Sequence, residues 1–333
     1  LGGTGAAASL SACMGDGGSN GEGTDGGEDG GSSSDGHSIL IGSVFASGHV
    51  INEMAIEWAD HVESETDGRI EITIEESFGG EEEIMEQTRI GSIGGGIIGA
   101  MWVIQYDPQN YWVESPFIFE DWEQQKRAYE SEYLDDGRER LANEGNQQLI
   151  GPPVYRGYRH TSGNSAFETP SDIEGVNLRV PSLDPWVNIW DGIGANPTTV
   201  AFDELYSSLQ QGVVDAQENP AATVEAASLY EVQDYYTLTR HLASTGWFTL
   251  NTDTFAGLSD DDQALLSDSL TTRIEDLSSE IASTEEEAIS SLEDEGMNVV
   301  EPDRDAWLSA AAEPLEEQFA ESWEPSLEEV RDI

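Results

Sequence analysis

The charge of this chain constrains its folding more than any other feature of the sequence. The 333 residues include 67 acidic and 13 basic side chains, which gives a formal net charge of -54 at pH 7. In dilute buffer such a charge destabilises a compact state by self-repulsion, whereas in molar salt the Debye length falls to about 3 Å and the repulsion is screened. The composition is therefore typical of proteins from extreme halophiles. A nucleic-acid partner is excluded, because phosphate binding requires clusters of lysine and arginine, and the only lysine is Lys126.

The chain has enough apolar residues for a folded core. Hydrophobic side chains make up 37% of the sequence, including nine Trp, ten Tyr and nine Phe. A disordered acidic chain is the alternative, but apolar residues recur periodically beyond residue 38 and argue against it. The length allows one large domain or two of ordinary size.

The first 38 residues predict an exported, lipid-anchored protein with a flexible tether. Residues 1–12 are small and apolar and end in Leu10-Ser11-Ala12, directly before Cys13. This pattern is typical of a lipobox at the end of a lipoprotein signal peptide, so we expect lipidation of Cys13 at the outer face of the membrane. The alternative is an unmodified cysteine in a discarded leader. Residues 14–38 are mostly Gly, Ser, Asp, Glu and Asn, and we expect them to form a disordered tether.

Beyond the tether, the apolar pattern alternates between strands and helices. Residues 39–45 predict a buried strand, residues 51–62 have helical spacing, and residues 70–74 alternate as a half-buried strand. Strands that alternate with helices indicate an α/β fold with parallel sheets. Residues 258–296 are almost free of Gly and Pro and predict one long helix. Further strands are expected at 93–101, 149–155, 178–180 and 213–215, and further helices at 81–90 and 203–211.

The sequence contains no recognisable catalytic or metal-binding motif. None of the five histidines belongs to a metal-ligand spacing, and no GxSxG element occurs. The only cysteine, Cys13, lies in the leader, which excludes both thiol catalysis and an intrachain disulfide. His160 is expected to be a loop or core histidine rather than a catalytic one. We therefore expect no cofactor, no metal and no enzymatic activity.

The stretch from Thr169 to Pro220 carries the most specific pattern. It contains Leu178-Arg179-Val180-Pro181, which places an arginine on a short apolar strand in a chain that has few cations. With Gly157-Tyr158-Arg159 before it and Gln217-Glu218-Asn219-Pro220 after it, this order of motifs resembles the TRAP-type (tripartite ATP-independent periplasmic) solute-binding proteins, in their dicarboxylate-binding branch. The resemblance covers about residues 39–325. Together with the composition, it suggests such a protein from a halophilic archaeon.

The resemblance implies a set of ligand contacts and a two-lobed fold. Arg179 is expected to bind the ligand carboxylate, with Arg159 and Asn219 as further contacts and Phe202 as an aromatic wall. A guanidinium pairs bidentately with a carboxylate and stays charged, which suits these roles. The implied fold is the periplasmic-binding-protein-like α/β fold with a hinge, in which the long helix crosses both lobes. Lobe 1 is expected at residues 39–156 plus 245–285, and lobe 2 at 157–244 plus 286–333.

The implied function is capture of a small organic acid and its delivery to the membrane subunits of a transporter. C4-dicarboxylates, sugar acids and keto acids all present a carboxylate to such an arginine, so the ligand stays open. Both arginines could instead form structural ion pairs, Phe202 could belong to the core, and Asn219 could cap the next helix. A secreted enzyme that acts on an organic acid and a ligand-binding subunit of a sensory system remain as alternative functions.

The net charge generates a prediction about salt. Because self-repulsion is screened only at high ionic strength, we expect the melting temperature to fall at low salt and to recover in molar KCl or NaCl. Circular dichroism melting across a salt series measures this. A melting temperature that stays flat between about 0.1 and 3 M salt, over which the Debye length shrinks several-fold, would contradict the halophilic interpretation.

Overall fold

A computed structural model describes residues 36–333 of the chain, apart from the side chain of Asp203. Cys13 and nearly all of the expected tether lie outside the described residues. His37 and Ser38, which were assigned to the tether, belong instead to the first strand. Among the described residues, no helix is both long enough and apolar enough to cross a membrane.

The described part of the chain has the expected α/β composition, in which strands and helices alternate along most of its length. The strands are β1 His37–Ser43, β2 Ile70–Glu75, β3 Gly95–Ile98, β4 Gln147–Leu149, β5 Val154–Gly163, β6 Asn177–Val180, β7 Asn196–Thr199, β8 Ala216–Asn219, β9 Tyr235–Asn251 and β10 Asn298–Val300. The helices are α1 Val50–Glu65, α2 Glu81–Arg89, α3 Met101–Tyr106, α4 Trp122–Glu130, α5 Asp135–Asn143, α6 Asp184–Ile193, α7 Leu205–Gln210, α8 Ala221–Ala226, α9 Thr252–Ala256, α10 Asp260–Asp294, α11 Arg304–Ser322 and α12 Leu327–Arg331.

The strands form one continuous mixed sheet with two parallel ends. Its order is β2-β1-β3-β9-β5-β8-β6-β7, with β4 and β10 paired to β9 off this path. At one end β1 pairs in parallel with β2 and β3, and at the other β6 pairs in parallel with β7 and β8. Between them, β9 is antiparallel to β3 and β5, and β5 is antiparallel to β8. The expectation of purely parallel sheets is therefore wrong at the centre, where two long antiparallel strands join the parallel ends.

Strand β5 carries two irregularities that matter for the site. Its register with β9 shifts between Tyr155 and Tyr158 and again between Arg159 and Thr161. Gly157 lies in the first shift with a φ of +89°, a conformation that glycine adopts without steric cost. Such bulges redirect neighbouring side chains. Arg156 lies within the first register shift, and Arg159 borders the second. Both are cations on the same strand.

The 35-residue helix α10 packs on two separate hydrophobic clusters. Its first half contributes Leu266, Leu270 and Ile274 to a cluster with α1, β1 and β2. Its second half contributes Leu292 to a cluster with α7 and α8. The Ser259 hydroxyl caps its N-terminus by accepting a hydrogen bond from the Asp262 amide. The single long helix predicted at 258–296 is thus present, and it contacts elements from both parallel ends of the sheet.

Two predicted strands differ from the structure. The segment 149–155 is interrupted by Gly151-Pro152-Pro153, and prolines lack the N–H group that a ladder requires. The strand expected at 213–215 lies instead at Ala216–Asn219, so the polar Gln217-Glu218-Asn219 segment belongs to a fully buried strand. The polarity of these residues concealed a strand whose side chains are satisfied by buried hydrogen bonds.

Candidate functional site

Three parallel strands end at the place where the site residues expected from sequence come together. β6 ends at Val180, β7 at Thr199 and β8 at Asn219. Antiparallel β5 places His160 opposite Asn219, so Arg159 lies beside the end of β8. In open α/β sheets, ligands bind outside the carboxyl ends of the strands. Arg179 and Asn219 therefore occupy a position in the fold that is suited to ligand binding.

Arg159 is held by a buried carboxylate. Its Nε lies 2.6 Å from Oε2 of Glu218 and its Nη2 lies 2.8 Å from Oε1, which is a bidentate pair. Nη2 also lies 2.9 Å from the Glu218 carbonyl oxygen and 3.0 Å from Oδ1 of Asn219. The guanidinium is additionally placed 5.1 Å from the ring centre of Trp186. Most of the donors of Arg159 are thus already used within the protein.

His241 completes this network from β9. Its Nε2 lies 3.1 Å from Oε2 of Glu218, and its Nδ1 lies 2.9 Å from the Thr239 hydroxyl. Burial lowers the pKa of His241, although Glu218 opposes the shift, so the ring is neutral and donates from Nε2. For Glu218, burial raises the pKa, but the Arg159 charge and the His241 hydrogen bond outweigh it and leave the pKa below its usual value. Glu218 is therefore an ionised counter-ion for Arg159.

Arg179 differs from Arg159 because it has no counter-ion among the described side chains. It is only 4% exposed, and its Nε donates to the Val200 carbonyl oxygen at 2.9 Å. Among the side chains that the structure describes, which do not include that of Asp203, no hydrogen bond or ion pair involves its two terminal nitrogens. Burial lowers its pKa to about 10, with a smaller opposing contribution from Glu218. The guanidinium thus stays charged at neutral pH and presents its terminal fork without a partner.

Asn219 and Phe202 lie next to the two arginines. The Asn219 amide accepts from Arg159 and donates to Oε1 of Gln217 at 2.6 Å. The following helix α8 has Pro220 at its N-cap and no side-chain cap, so Asn219 does not have the capping role considered as an alternative. The Phe202 ring centre lies 6.0 Å from Cζ of Arg179, and the residue is 48% exposed. Phe202 is thus a surface aromatic beside Arg179 and not a core residue.

Arg156 is a third cation of the site, which the sequence motifs did not single out. Its Nη1 lies 3.3 Å from the Ser244 hydroxyl, and Nη1 of Arg159 lies 3.3 Å from the same oxygen. Its Cζ lies 4.4 Å from the ring centre of Phe45, close enough for a cation–π contact. Burial and the neighbouring Arg159 charge lower its pKa to about 10. We call Arg156, Arg159 and Arg179 the arginine cluster.

Two acidic residues lie near Arg156 without forming an ion pair with it. Glu114 is buried, and its Oε1 accepts hydrogen bonds from the Thr245 hydroxyl at 2.6 Å and from the Tyr129 hydroxyl. Burial raises its pKa to about 8, so most of it is protonated at neutral pH. Glu81, at the start of α2, accepts from the Gly99 amide at 3.1 Å, and burial raises its pKa as well. Sequence reasoning missed these residues because one acid among 67 carries no signal.

The position of His160 agrees with its interpretation as a core histidine. It lies on β5, 4% exposed, and its Nδ1 accepts from the Arg240 amide at 2.9 Å.

Among the described residues, no group of His, Cys, Asp and Glu has the geometry of a metal site. A cavity of about 630 Å³ lies away from the arginine cluster, between Phe117, Leu308 and Arg304. A shallow acidic depression of about 670 Å³ lies at Asp60–Gly68. Neither of these two cavities contains a residue of the cluster.

Comparison with protein families gives one match over most of the chain. The model of bacterial extracellular solute-binding protein, family 7, matches residues 41–322. A solute-binding protein of Roseobacter denitrificans is 28% identical over 291 residues, which cover 85% of this chain and 89% of that protein. The sialic acid-binding periplasmic protein of Vibrio cholerae is 27% identical over 289 residues, which cover 84% and 88%.

Solved structures show the same fold. The TRAP periplasmic solute-binding protein of Roseobacter denitrificans, crystallised with bound L-galactonate, has a TM-score of 0.76 at 26% identity and covers 86% of this chain and 97% of its own. A TRAP periplasmic solute-binding protein of a Sulfitobacter species, crystallised with β-D-galacturonate, has a TM-score of 0.79 at 24% identity, covering 88% and 97%. These similarities establish the two-lobed periplasmic-binding-protein-like fold that the sequence suggested.

The different partners of Arg159 and Arg179 generate a stability prediction. Replacing Glu218 by Gln leaves a buried guanidinium without its counter-ion, so we expect the free energy of unfolding to fall by about 3–5 kcal/mol without ligand. The folded-state pKa of Arg179 lies below its ordinary value, which means that its charged form destabilises the fold at every pH below about 10. Arg179→Met should therefore leave stability unchanged or higher. Denaturant unfolding in molar salt measures the free energy of unfolding of both variants. If this free energy falls equally in Glu218→Gln and Arg179→Met, Arg179 is also a structural ion-pair partner.

Proposed function

Since the chain belongs to family 7 of the bacterial extracellular solute-binding proteins, we propose that Arg179 is its main ligand contact and binds the carboxylate of a small organic acid. The chain is an extracytoplasmic solute-binding protein of a TRAP-type transport system, and its transport partners are the membrane subunits of that system.

The unpaired fork of Arg179 is the observation that carries the proposal. A guanidinium that is 4% exposed and lacks a counter-ion has lost its hydration without full compensation. A ligand carboxylate supplies two acceptors in the geometry that this fork matches. Arg159 and Asn219 act as neighbours that shape the site, and Phe202, whose ring centre lies 6.0 Å from Cζ of Arg179, is proposed as its aromatic wall. In this proposal Arg159 contributes mostly through its pairing with Glu218, because most of its donors are already used.

The ligand is proposed to be a sugar acid or a dicarboxylate. The relative from Vibrio cholerae is named for sialic acid, and the structure from Roseobacter denitrificans contains L-galactonate; both are carboxylates with several hydroxyl groups. In this chain, Glu81, Glu114 and Ser244 lie near the arginine cluster and can exchange hydrogen bonds with hydroxyl groups. A polyhydroxylated acid therefore suits the chemistry of the surrounding side chains.

Closure of two lobes is proposed to enclose the ligand. Lobe 1 comprises about residues 39–156 plus 245–285, and lobe 2 about 157–244 plus 286–333. The long helix α10 packs against clusters at both parallel ends of the sheet and is suited to link their movement. The boundaries fall within the long strands β5 and β9, where the bulges of β5 give the backbone irregular places at which to bend. Binding without chemical change is expected, and the ligand recovered after incubation should be identical by NMR.

The proposal predicts the effect of removing Arg179. Arg179→Ala should weaken binding of L-galactonate, or of the best acid from a thermal-shift screen, by about 2–5 kcal/mol, because the carboxylate loses a desolvated partner. Arg179→Lys should not restore binding, since a point charge cannot reproduce the planar fork. Isothermal titration in molar salt measures these affinities. Binding by Arg179→Ala within about threefold of the parent protein, under 1 kcal/mol, would refute the assigned role.

The chain is further proposed to be a lipoprotein of a halophilic archaeon, anchored through Cys13. The lipobox pattern before Cys13 and the net charge of -54 support this, whereas the relatives described above are bacterial. When the protein is expressed with its own leader, Cys13→Ser should move it from the membrane fraction to the medium without changing ligand affinity, because the proposed ligand contacts all lie in the described elements, the first of which begins at His37. Fractionation and titration of the released protein measure both effects. Retention of the variant in the membrane fraction would rule out the anchor.

A further inference from the structure

The arginine cluster contains two uncompensated cations, not one. Arg159 is neutralised by the bidentate carboxylate of Glu218. Arg179 has no ionic partner, as described above, and Arg156 likewise has no carboxylate oxygen within 4.0 Å among the described side chains. Since the rest of the chain has a large excess of acids, two cations left without counter-ions in one site are not explained by structural pairing.

The contacts of Arg156 leave one of its terminal nitrogens without a partner among the described side chains. Nη1 is used by the Ser244 hydroxyl at 3.3 Å and the Thr245 carbonyl oxygen at 3.4 Å, both long contacts. One face of the guanidinium lies against Phe45, whose ring stacks on His49 at 4.5 Å. Nε is buried and has no hydrogen-bond partner. Among the side chains that the structure describes, no partner is found for Nη2 either, so this terminal nitrogen is the donor of Arg156 that is left for an anion.

Arg156 and Arg179 also belong to opposite parts of the site. Arg179 lies at the carboxyl end of β6, next to β7 and β8. The aromatic partner of Arg156, Phe45, directly follows the parallel end of β1, and its acidic neighbour Glu81 bonds Gly99 just beyond β3. Arg159 lies between them, since it shares the Ser244 oxygen with Arg156 and lowers the pKa of Arg179 by its charge. A ligand that Arg179 holds at one end can therefore meet Arg156 at the other.

We propose that Arg156 binds a second anionic group, so that the site selects linear diacids over the corresponding monoacids. This inference rests on the proposed function, in which Arg179 binds the first carboxylate. Nη2 of Arg156 donates to the second carboxylate, and Phe45 keeps the guanidinium plane in place. Protonated Glu114 does not compete for this cation, and Glu81 remains available for a ligand hydroxyl group.

A matched pair of ligands tests the proposal. Galactarate and galactonate are linear six-carbon acids that differ at one end, where galactonate has a hydroxymethyl group in place of the second carboxylate. Succinate and 4-hydroxybutyrate form the same comparison with four carbons. In titrations at one fixed molar KCl concentration, the parent protein should bind the diacid of at least one pair ten or more times as tightly as its monoacid. Arg156→Gln should weaken the diacid at least tenfold and change the monoacid less than threefold.

Arg240→Gln is the matched control, because Arg240 also stacks on an aromatic ring, at 3.9 Å from that of Tyr158, but lies outside the cluster. It should leave the preference for the diacid intact. Arg156→Lys keeps a cation and should retain part of the preference, which distinguishes a lost charge from a misfolded variant.

Equal losses of affinity for both acids in Arg156→Gln, or no preference for the diacid in the parent protein, would overturn the proposal. If the monoacid binds in an Arg179-dependent manner without preference for the diacid, only this inference fails. If none of the four acids binds the parent protein, the proposed function fails with it.

Discussion

The bidentate pair of Arg159 and Glu218 determines the electrostatics of the whole site. Two buried charges are tolerated only when their geometry is good and their remaining donors and acceptors are satisfied. Here the carboxylate receives both nitrogens of one guanidinium edge and the Nε2–H group of neutral His241. Because Glu218 is committed to Arg159, it cannot neutralise Arg179, although its charge acts on both. The pair thus fixes β5 against β8 and at the same time leaves the neighbouring cation free for an external anion.

The acidic surface and the arginine cluster act on an anionic ligand in opposite ways, and ionic strength changes the balance between them. A protein with a net charge of -54 repels an anionic ligand at long range when the ionic strength is low. In molar salt that repulsion extends only about 3 Å, whereas contacts inside a water-poor site are screened much less. High salt therefore removes the unfavourable long-range contribution and preserves the short-range attraction of the arginine cluster. An acidic surface and an anion-binding site are compatible under the conditions for which the composition is suited.

The sequence predicted the elements that have strong local signals and missed those defined by tertiary contacts. The apolar periodicity of α1 and α10 and the alternation in β2 were sufficient to locate these elements. The order of motifs around Arg179 brought Arg159, Arg179, Asn219 and Phe202 to one place. Strand β8 was missed because Gln217, Glu218 and Asn219 are polar, and only their partners on neighbouring strands make their burial possible. Arg156 was missed because its role depends on Phe45 and Ser244, which lie more than 80 residues away in each direction.

The use of arginine rather than lysine throughout the cluster follows from burial. Removal from water lowers the pKa of Arg156 and of Arg179 to about 10, which still leaves both side chains charged at neutral pH. Lysine starts from an ordinary pKa of about 10.4, so the same burial would lower its pKa toward the neutral range and leave part of the population neutral. A neutral amine cannot hold a carboxylate by charge, and binding would then depend on proton uptake. In the proposed binding mode, arginines in these positions keep anion binding independent of pH across the neutral range, and the bound ligand offsets the cost of burying them. The one lysine, Lys126, lies on α4 outside the cluster, where no such requirement applies.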